Sequence, residues 1–210
     1  MPDLVFELVD EAGFEAIPSP SRPGARCQTC DYWERLEGSR DAPEVGARDI
    51  ASRRSLKVGR VLAGVGVSGS YAMLAYQADA AERRAIGYAQ FGPLSAYPRA
   101  QSIRDRYPEL PESPAPWVVT CLQIVADTAD RNDSGAALLD AVCRELDGRG
   151  ITAVEAYPEA AGDPWTPSPG PAAVYEAAGF GVTAFYPVSR EWKTWRVLEF
   201  DCVMARPAAL

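Results

Sequence analysis

The chain has 210 residues, 47% hydrophobic and 24% charged, with a formal net charge of −8 and no histidine. That apolar share can bury a core, while the negative balance argues against nucleic acid or a membrane surface and favours cationic amines as partners. Without histidine, Ser–His and Cys–His nucleophile pairs and His-ligated metals are excluded, so any catalysis must use Tyr, Cys, carboxylates, water or backbone dipoles.

In chain order, Leu4–Leu8 alternates as a first strand, and Ile17–Arg26 is a Pro/Ser/Gly/Arg loop. A compact segment follows, Cys27-Gln-Thr-Cys30-Asp-Tyr32-Trp33-Glu34. Ala47–Leu62 has helical character and carries Arg53, Arg54 and Lys57. Ser70–Ala78 and Ala85–Phe91 are β-like runs around the charged turn Asp79–Arg84, which predicts a hairpin. Gly92–Pro116 is a proline-rich excursion with at most a short helix. Trp117–Val125 is nearly all apolar or β-branched, as a buried central strand requires.

Asp127–Asp133 is polar, and Ala136–Arg149 then places Leu138, Leu139, Val142 and Leu146 at helical spacing, with Gly150 as the stop. Ile151–Tyr157 is another buried strand. Pro158–Pro169 is a Pro/Gly/Trp loop, and Pro171–Ala178 is a short helix ended by Gly179. Val182–Val188 and Arg196–Met204 form a closing strand pair. The order predicts one α/β domain over 1–210 with mixed strand directions. Residues 1–46 contribute the first strand and the Cys/aromatic segment. A dinucleotide-binding sheet fits poorly, because no Gly-x-Gly-x-x-Gly follows any strand. No early apolar run is long enough for a signal peptide or membrane helix, and five cysteines at irregular spacings do not form a secreted framework, so the cytoplasm is the expected compartment.

The stretch from Trp117 to Phe180 resembles the acetyl-CoA-binding half (117–180) of the Gcn5-related N-acetyltransferase (GNAT) superfamily. Val125 stands where the family's central strand ends. Ala137-Leu-Leu-Asp-Ala-Val142 resembles the first turns of the helix after its Arg/Gln-x-x-Gly-x-Gly/Ala loop, and Ala173-Val-Tyr175-Glu-Ala-Ala-Gly179-Phe180 resembles its Ala-x-x-x-Tyr-x-x-x-Gly-Phe pattern. The Cys27-x-x-Cys30-x-Tyr32-Trp33-Glu34 segment is similar to one found in a subgroup of such proteins. The resemblance implies a mostly antiparallel mixed sheet, splayed at the strand ending near Val125 and flanked by helices. It also implies acetyl-CoA as co-substrate, with transfer of its acetyl group to a primary amine of a small molecule or peptide.

In such a unit, helix N-terminal N–H groups hold a pyrophosphate, the open strand edge pairs with the pantetheine arm, and a backbone amide receives developing oxyanion charge. The loop itself is degenerate. One register puts Asp130 at the Arg/Gln position, Asp133 at the first glycine and Gly135 at the second. Another puts Arg131, Ser134 and Ala136 there. Carboxylates are poorly suited to face phosphate, so Asp130 and Asp133 either point away, with Arg131, Asn132 and Ser134 supplying donors, or cap the helix. Ile124, Val125, Arg131, Asn132, Ser134, Gly135 and Ala136 are the expected cofactor-binding residues.

By resemblance Tyr175 protonates the leaving thiolate; the competing reading is a tyrosine packed under Gly179-Phe180. Glu34, Asp31 and Glu155 are candidate bases, with ordered water as an equal alternative, and Glu34 is taken as the catalytic carboxylate. Trp33, Tyr88 and Gln90 are expected to line the acceptor site, with Phe91, Trp165 and Tyr186 as further candidates. Trp33 and Glu34 would give a cationic amine an aromatic wall and a carboxylate; the alternative is a packed lid. One Cys pair without a second pair or histidine does not make a structural zinc site, and no metal is expected. Pairing into a homodimer is left open. Two readings stand: an N-acetyltransferase, or a catalytically silent GNAT-fold acyl-CoA-binding or regulatory module.

Overall fold

The computed structural model describes residues 3–20, 26–36, 47–78, 83–125, 128, 130–158, 170–185 and 202–207. The expected Trp165 and Tyr186 lie outside them. In chain order the elements are β1 (Leu4–Leu8), α1 (Glu11–Glu15), α2 (Ala47–Val61), β2 (Ala72–Gln77), β3 (Ala85–Pro93), α3 (Pro98–Arg104), β4 (Trp117–Ile124), α4 (Arg131–Gly148), β5 (Ala153–Ala156), α5 (Ala172–Ala177), β6 (Gly181–Phe185) and β7 (Cys202–Pro207). A 3-10 turn spans Cys27–Thr29.

The strands form one sheet in the order β1-β2-β3-β4-β5-β7-β6. Only β4 and β5 pair in parallel; every other neighbouring pair is antiparallel. The parallel pair is joined through α4, the crossover such a pair needs. This is the mixed, mostly antiparallel α/β sheet expected from the sequence, with its closing strands arranged so that β7 lies between β5 and β6.

Alternation along the strands divides the core between the two faces. On one face Ala75, Ala89, Phe91, Val119, Leu122 and Ile124 meet Leu138, Val142 and Leu146 of α4 and Val174 and Tyr175 of α5. Gly87 permits this approach: a Cβ there would stand 2.8 Å from Ile124 Cδ1 and 3.2 Å from Leu138 Cδ2. On the other face Leu74, Tyr76 and Tyr88 pack against Val61 and Phe14. Beside them Tyr32, Trp33, Tyr97, Ile103, Tyr107 and Tyr157 form an aromatic layer. That layer seats the Cys27–Glu34 segment against the sheet, where Arg99 donates to the Tyr32 carbonyl at 2.6 Å and stacks on the Tyr32 ring.

Candidate functional site

The site begins with an interruption in pairing. β3 accompanies β4 from Trp117 to Ile124, but β5 accompanies it only from Trp117 to Val119. Opposite Gln90 and Phe91 the register of β4 steps from Cys121 to Val119, leaving Thr120 as the extra residue of a bulge, its hydroxyl donating to the Gln90 carbonyl at 3.2 Å. A bulge bends its strand and increases local twist. Beyond it, the β5 side of residues 120–124 has no strand partner among the described residues. Val125 N–H donates to Ile86 of β3, so the carbonyl of the same planar peptide, that of Ile124, faces the open side. Two side chains already cover it: Arg131 Nη2 and Gln123 Nε2 each donate to Ile124 O at 2.8 Å.

At the end of this edge stands the N-terminus of α4. The helix starts at Arg131, five residues earlier than the apolar periodicity predicts, because Asp130 turns the chain with φ 51° and its carbonyl accepts from Ser134 N–H at 2.9 Å. A non-glycine residue in this left-handed region is uncommon, though Asp is among the types that tolerate it. Ser134, Gly135 and Ala136 therefore lie in the first turns of a helix rather than in a loop, with Ser134 and Gly135 buried. Among the described residues no side chain caps the helix, and a helix start leaves its first N–H groups without helical partners. An open groove of about 480 Å³ lies there, lined by Thr128, Asp130, Arg131, Asn132 and Asp133. Ser134 is 1% exposed and its hydroxyl has no hydrogen-bond partner among the described residues. N–H groups, a guanidinium and an unclaimed hydroxyl suit an anion; the Asp130 and Asp133 carboxylates oppose one.

Tyr175 of α5 belongs to the same core cluster as Leu122 and Ile124 of β4. Gly170, which leads into α5, has room only for hydrogen against Leu122: a Cβ would stand 3.2 Å from its Cδ2. Gly179, at φ 83°, lets the chain reverse so that Phe180 N–H donates to the Tyr175 carbonyl at 3.0 Å and the two rings meet edge to face at 5.2 Å. Tyr175 is fully buried, yet its hydroxyl has no partner among the described residues. Burial, then the Cys121 and Cys143 thiols, push its pKa well above the ordinary tyrosine value, so the hydroxyl stays protonated. The ring is packed under Phe180, and among the described residues the proton is unclaimed.

Glu34, Tyr88 and Gln90 come together on the other face of the sheet, around a residue the sequence reading passed over. Lys57 of α2 is 1% exposed. Its ammonium lies 3.0 Å from Glu34 Oε1 and also donates to Gln90 Oε1. Gln90 Nε2 donates to Glu34 Oε1 at 2.7 Å, and Tyr88 OH donates to Gln90 Oε1 at 3.2 Å. Burial works against the Lys57 charge, but Glu34, followed by Tyr88 and the Cys121 and Cys30 thiols, holds its pKa well above the ordinary lysine value. Glu34 Oε2 is buried and unpartnered. Trp33 is 1% exposed and packs in the aromatic layer, its ring 5.3 Å from that of Tyr32. Cys121, just past the bulge, is half-buried and packs against the aromatic layer and the Val61–Tyr88 cluster.

The other candidate bases are already engaged. Glu155 of β5 takes a two-pronged ion pair from Arg104, with Nε 3.0 Å from Oε2, and accepts from Tyr157 OH at 2.9 Å. Asp31 is 2% exposed and faces both Arg53 and Arg35 at 3.5 Å. Cys27 is buried, and desolvation followed by the Cys30 thiol pushes its pKa up to about 12, the behaviour of a packing thiol rather than a reactive one. Among the described residues no group of three or more His, Cys, Asp or Glu side chains is placed to hold a metal ion, and no helix is long and apolar enough to cross a membrane.

No family model and no curated relative matches the sequence. Solved structures do match. The NatC complex bound to Gag peptide and CoA aligns at 12% identity over 99% of each chain, with a TM-score of 0.52. An N-acetyltransferase from Staphylococcus aureus aligns at 10% identity over 99% of each chain, with a TM-score of 0.53. The yncA protein of Salmonella typhimurium, solved with acetyl-CoA, aligns at 15% identity over 98% of this chain and 94% of its own, with a TM-score of 0.52.

Proposed function

Because the chain has the GNAT fold, we propose that it is an N-acetyltransferase that moves an acetyl group from acetyl-CoA to a primary amine of a small molecule or peptide. The observation that carries this reading is the coincidence, among the described residues, of an unpaired strand edge and an uncapped helix N-terminus at one gap in the sheet, with an unpartnered tyrosine hydroxyl buried in the core cluster that β4 and α4 share. The described residues fit the cofactor: the first turn of α4 with Arg131, Asn132 and Ser134 would hold its pyrophosphate, and the edge from Thr120 to Val125 would hold its pantetheine arm. When bound, acetyl-CoA supplies the acetyl group as an activated thioester.

The chain's own residues then handle protons. Tyr175 gives its proton to the sulfur as the carbon–sulfur bond breaks, and burial keeps that proton available across the physiological range. On the opposite face Glu34 receives the proton released as the amine forms its bond to the acetyl carbon, directly or through one water. Trp33, Tyr88 and Gln90 shape and hold that carboxylate.

A second reading, a silent acyl-CoA-binding or regulatory module, draws on the covered Ile124 carbonyl and on Glu34 already paired with Lys57. Titration with CoA followed by assay of amine-dependent thiol release separates the two. Binding without turnover of any amine supports the module; no binding at millimolar CoA overturns both.

A further inference from the structure

The helix α2 turns three cations inward at i, i+4 and i+7 spacing: Arg53, Lys57 and Arg60. Two of them meet carboxylates, Arg53 with Asp31 and Lys57 with Glu34. Among the described residues the third has no carboxylate or carbonyl. Arg60 instead lies over the Tyr97 ring, 5.6 Å from its centroid, and its Nε is buried without an acceptor. Tyr97 is fully buried and fixed at its other end, where its hydroxyl donates to the Phe91 carbonyl at 2.8 Å and accepts from Gln90 Nε2 at 3.3 Å. Gln90 in turn holds Glu34 Oε1, so Glu34 Oε2 is the second orphan of the same unit, an anionic acceptor without a donor. Tyr97 therefore carries an unsatisfied cation donor against its ring face and an unsatisfied anion beyond its hydroxyl.

Orphaned buried charged groups are costly, and each is relieved by a hydrogen bond from an opposite charge. A simple cationic amine would satisfy Glu34 and leave Arg60 as it is. Resting on the acetyltransferase reading above, we propose that the acceptor is an amino acid-like zwitterion, its amine received at Glu34 Oε2 and its carboxylate at Arg60 Nε, on either side of Tyr97. The α2 cations Arg53, Lys57 and Arg60 match the Asp31, Asp49 and Glu34 carboxylates they face in number, so this wall does not share the acidic balance of the whole chain. The carboxylate subsite thus adds a specificity element that the net charge of −8 hides.

The test uses matched amines that differ only by the carboxylate: phenylalanine against phenethylamine, arginine against agmatine, and lysine against cadaverine, each with acetyl-CoA and the full chain. The expected result is turnover of the carboxylate-bearing member with kcat/KM about ten- to a hundredfold above its partner. In Arg60→Met the advantage disappears through a rise in KM, with kcat and CoA affinity kept. Equal or better turnover of the decarboxylated members, no turnover of any zwitterion, or an unchanged preference in Arg60→Met overturns the proposal. CoA titration of the same preparations distinguishes these outcomes from failure of the acetyltransferase reading, in which CoA does not bind at all.

Discussion

The Lys57 ammonium lies 3.0 Å from Glu34 Oε1, with 1% of the lysine side chain and none of the glutamate side chain exposed. Removing one partner of a buried pair strands the other charge, which costs roughly 3–5 kcal/mol. Lys57→Met is therefore expected to lower the urea midpoint sharply. Lys57→Met combined with Glu34→Gln should recover much of the loss, because neither charge remains unpaired. Equal destabilisation of the single and double variants would show that the pair is not coupled.

Tyr175→Phe removes a hydroxyl that has no partner while keeping the ring against Phe180. Loss of a buried unsatisfied group is expected to raise stability by about 1 kcal/mol, whereas loss of the proton donor lowers kcat by about 10²- to 10⁴-fold with little change in CoA affinity. A more stable but slower enzyme is the signature to look for in thermal melts and steady-state kinetics. Unchanged turnover removes Tyr175 from the chemistry.

Glu155 is held by Arg104 and Tyr157 and is assigned no role in proton transfer. Glu155→Gln should unfold more readily, by about 1.5–3 kcal/mol for the lost charged hydrogen bonds, and keep the parent pH–rate profile. A shifted profile would return Glu155 to the list of bases.

Arg131 joins the Ile124 carbonyl to the groove at α4. Arg131→Met is expected to weaken CoA and 3′-phospho-ADP by about tenfold or more, with a shallower salt dependence, and to leave pantetheine affinity the same or better. Equal loss for all three ligands in calorimetry would place Arg131 in the fold rather than at the phosphates.

Above neutrality stability should fall early. Burial first of all raises Cys27 to about 12 from an ordinary 9.0, raises Cys30 and Cys121 from 9.0, and raises Tyr88, Tyr97, Tyr157 and Tyr175 from 10.0. Lys57 is raised by Glu34 despite its burial. In each case the folded chain keeps a proton that the unfolded chain releases. The stabilisation is thus complete below about pH 9 and is lost as pH climbs through the folded values. With no histidine in the chain, the melting temperature should be nearly flat from pH 6 to 8 and decline from about pH 9. A melt series over pH 6–11 checks both halves.

What the sequence made legible follows from periodicity. β4 and β5 are mostly apolar and mostly buried, and Leu138, Leu139, Val142 and Leu146 of α4 mark one buried helical face. The start of α4 escaped because it depends on the left-handed turn at Asp130, which no apolar pattern records. The pairing of Glu34 with Gln90 depends on residues 56 positions apart, but both were visible as polar residues set among aromatic and apolar neighbours. Lys57 was visible only as one cation of a basic helix. Its burial comes from tertiary packing, although the match between Asp31–Glu34 spacing and Arg53–Lys57 spacing was a signal. Glu155 looked free because its partner, Arg104, sits in a proline-rich excursion with little pattern of its own.

Among the described residues β2, β3 and β4 send alternate side chains to two otherwise separate surfaces, α4 and α5 on one side and α2 with its aromatic layer on the other. Under the proposed function, recognition on the α2 side and donor handling on the α4 side would be open to change at different residues. A protein built this way can exchange one amine for another through substitutions on a single helix while its handling of the acyl donor stays as it was.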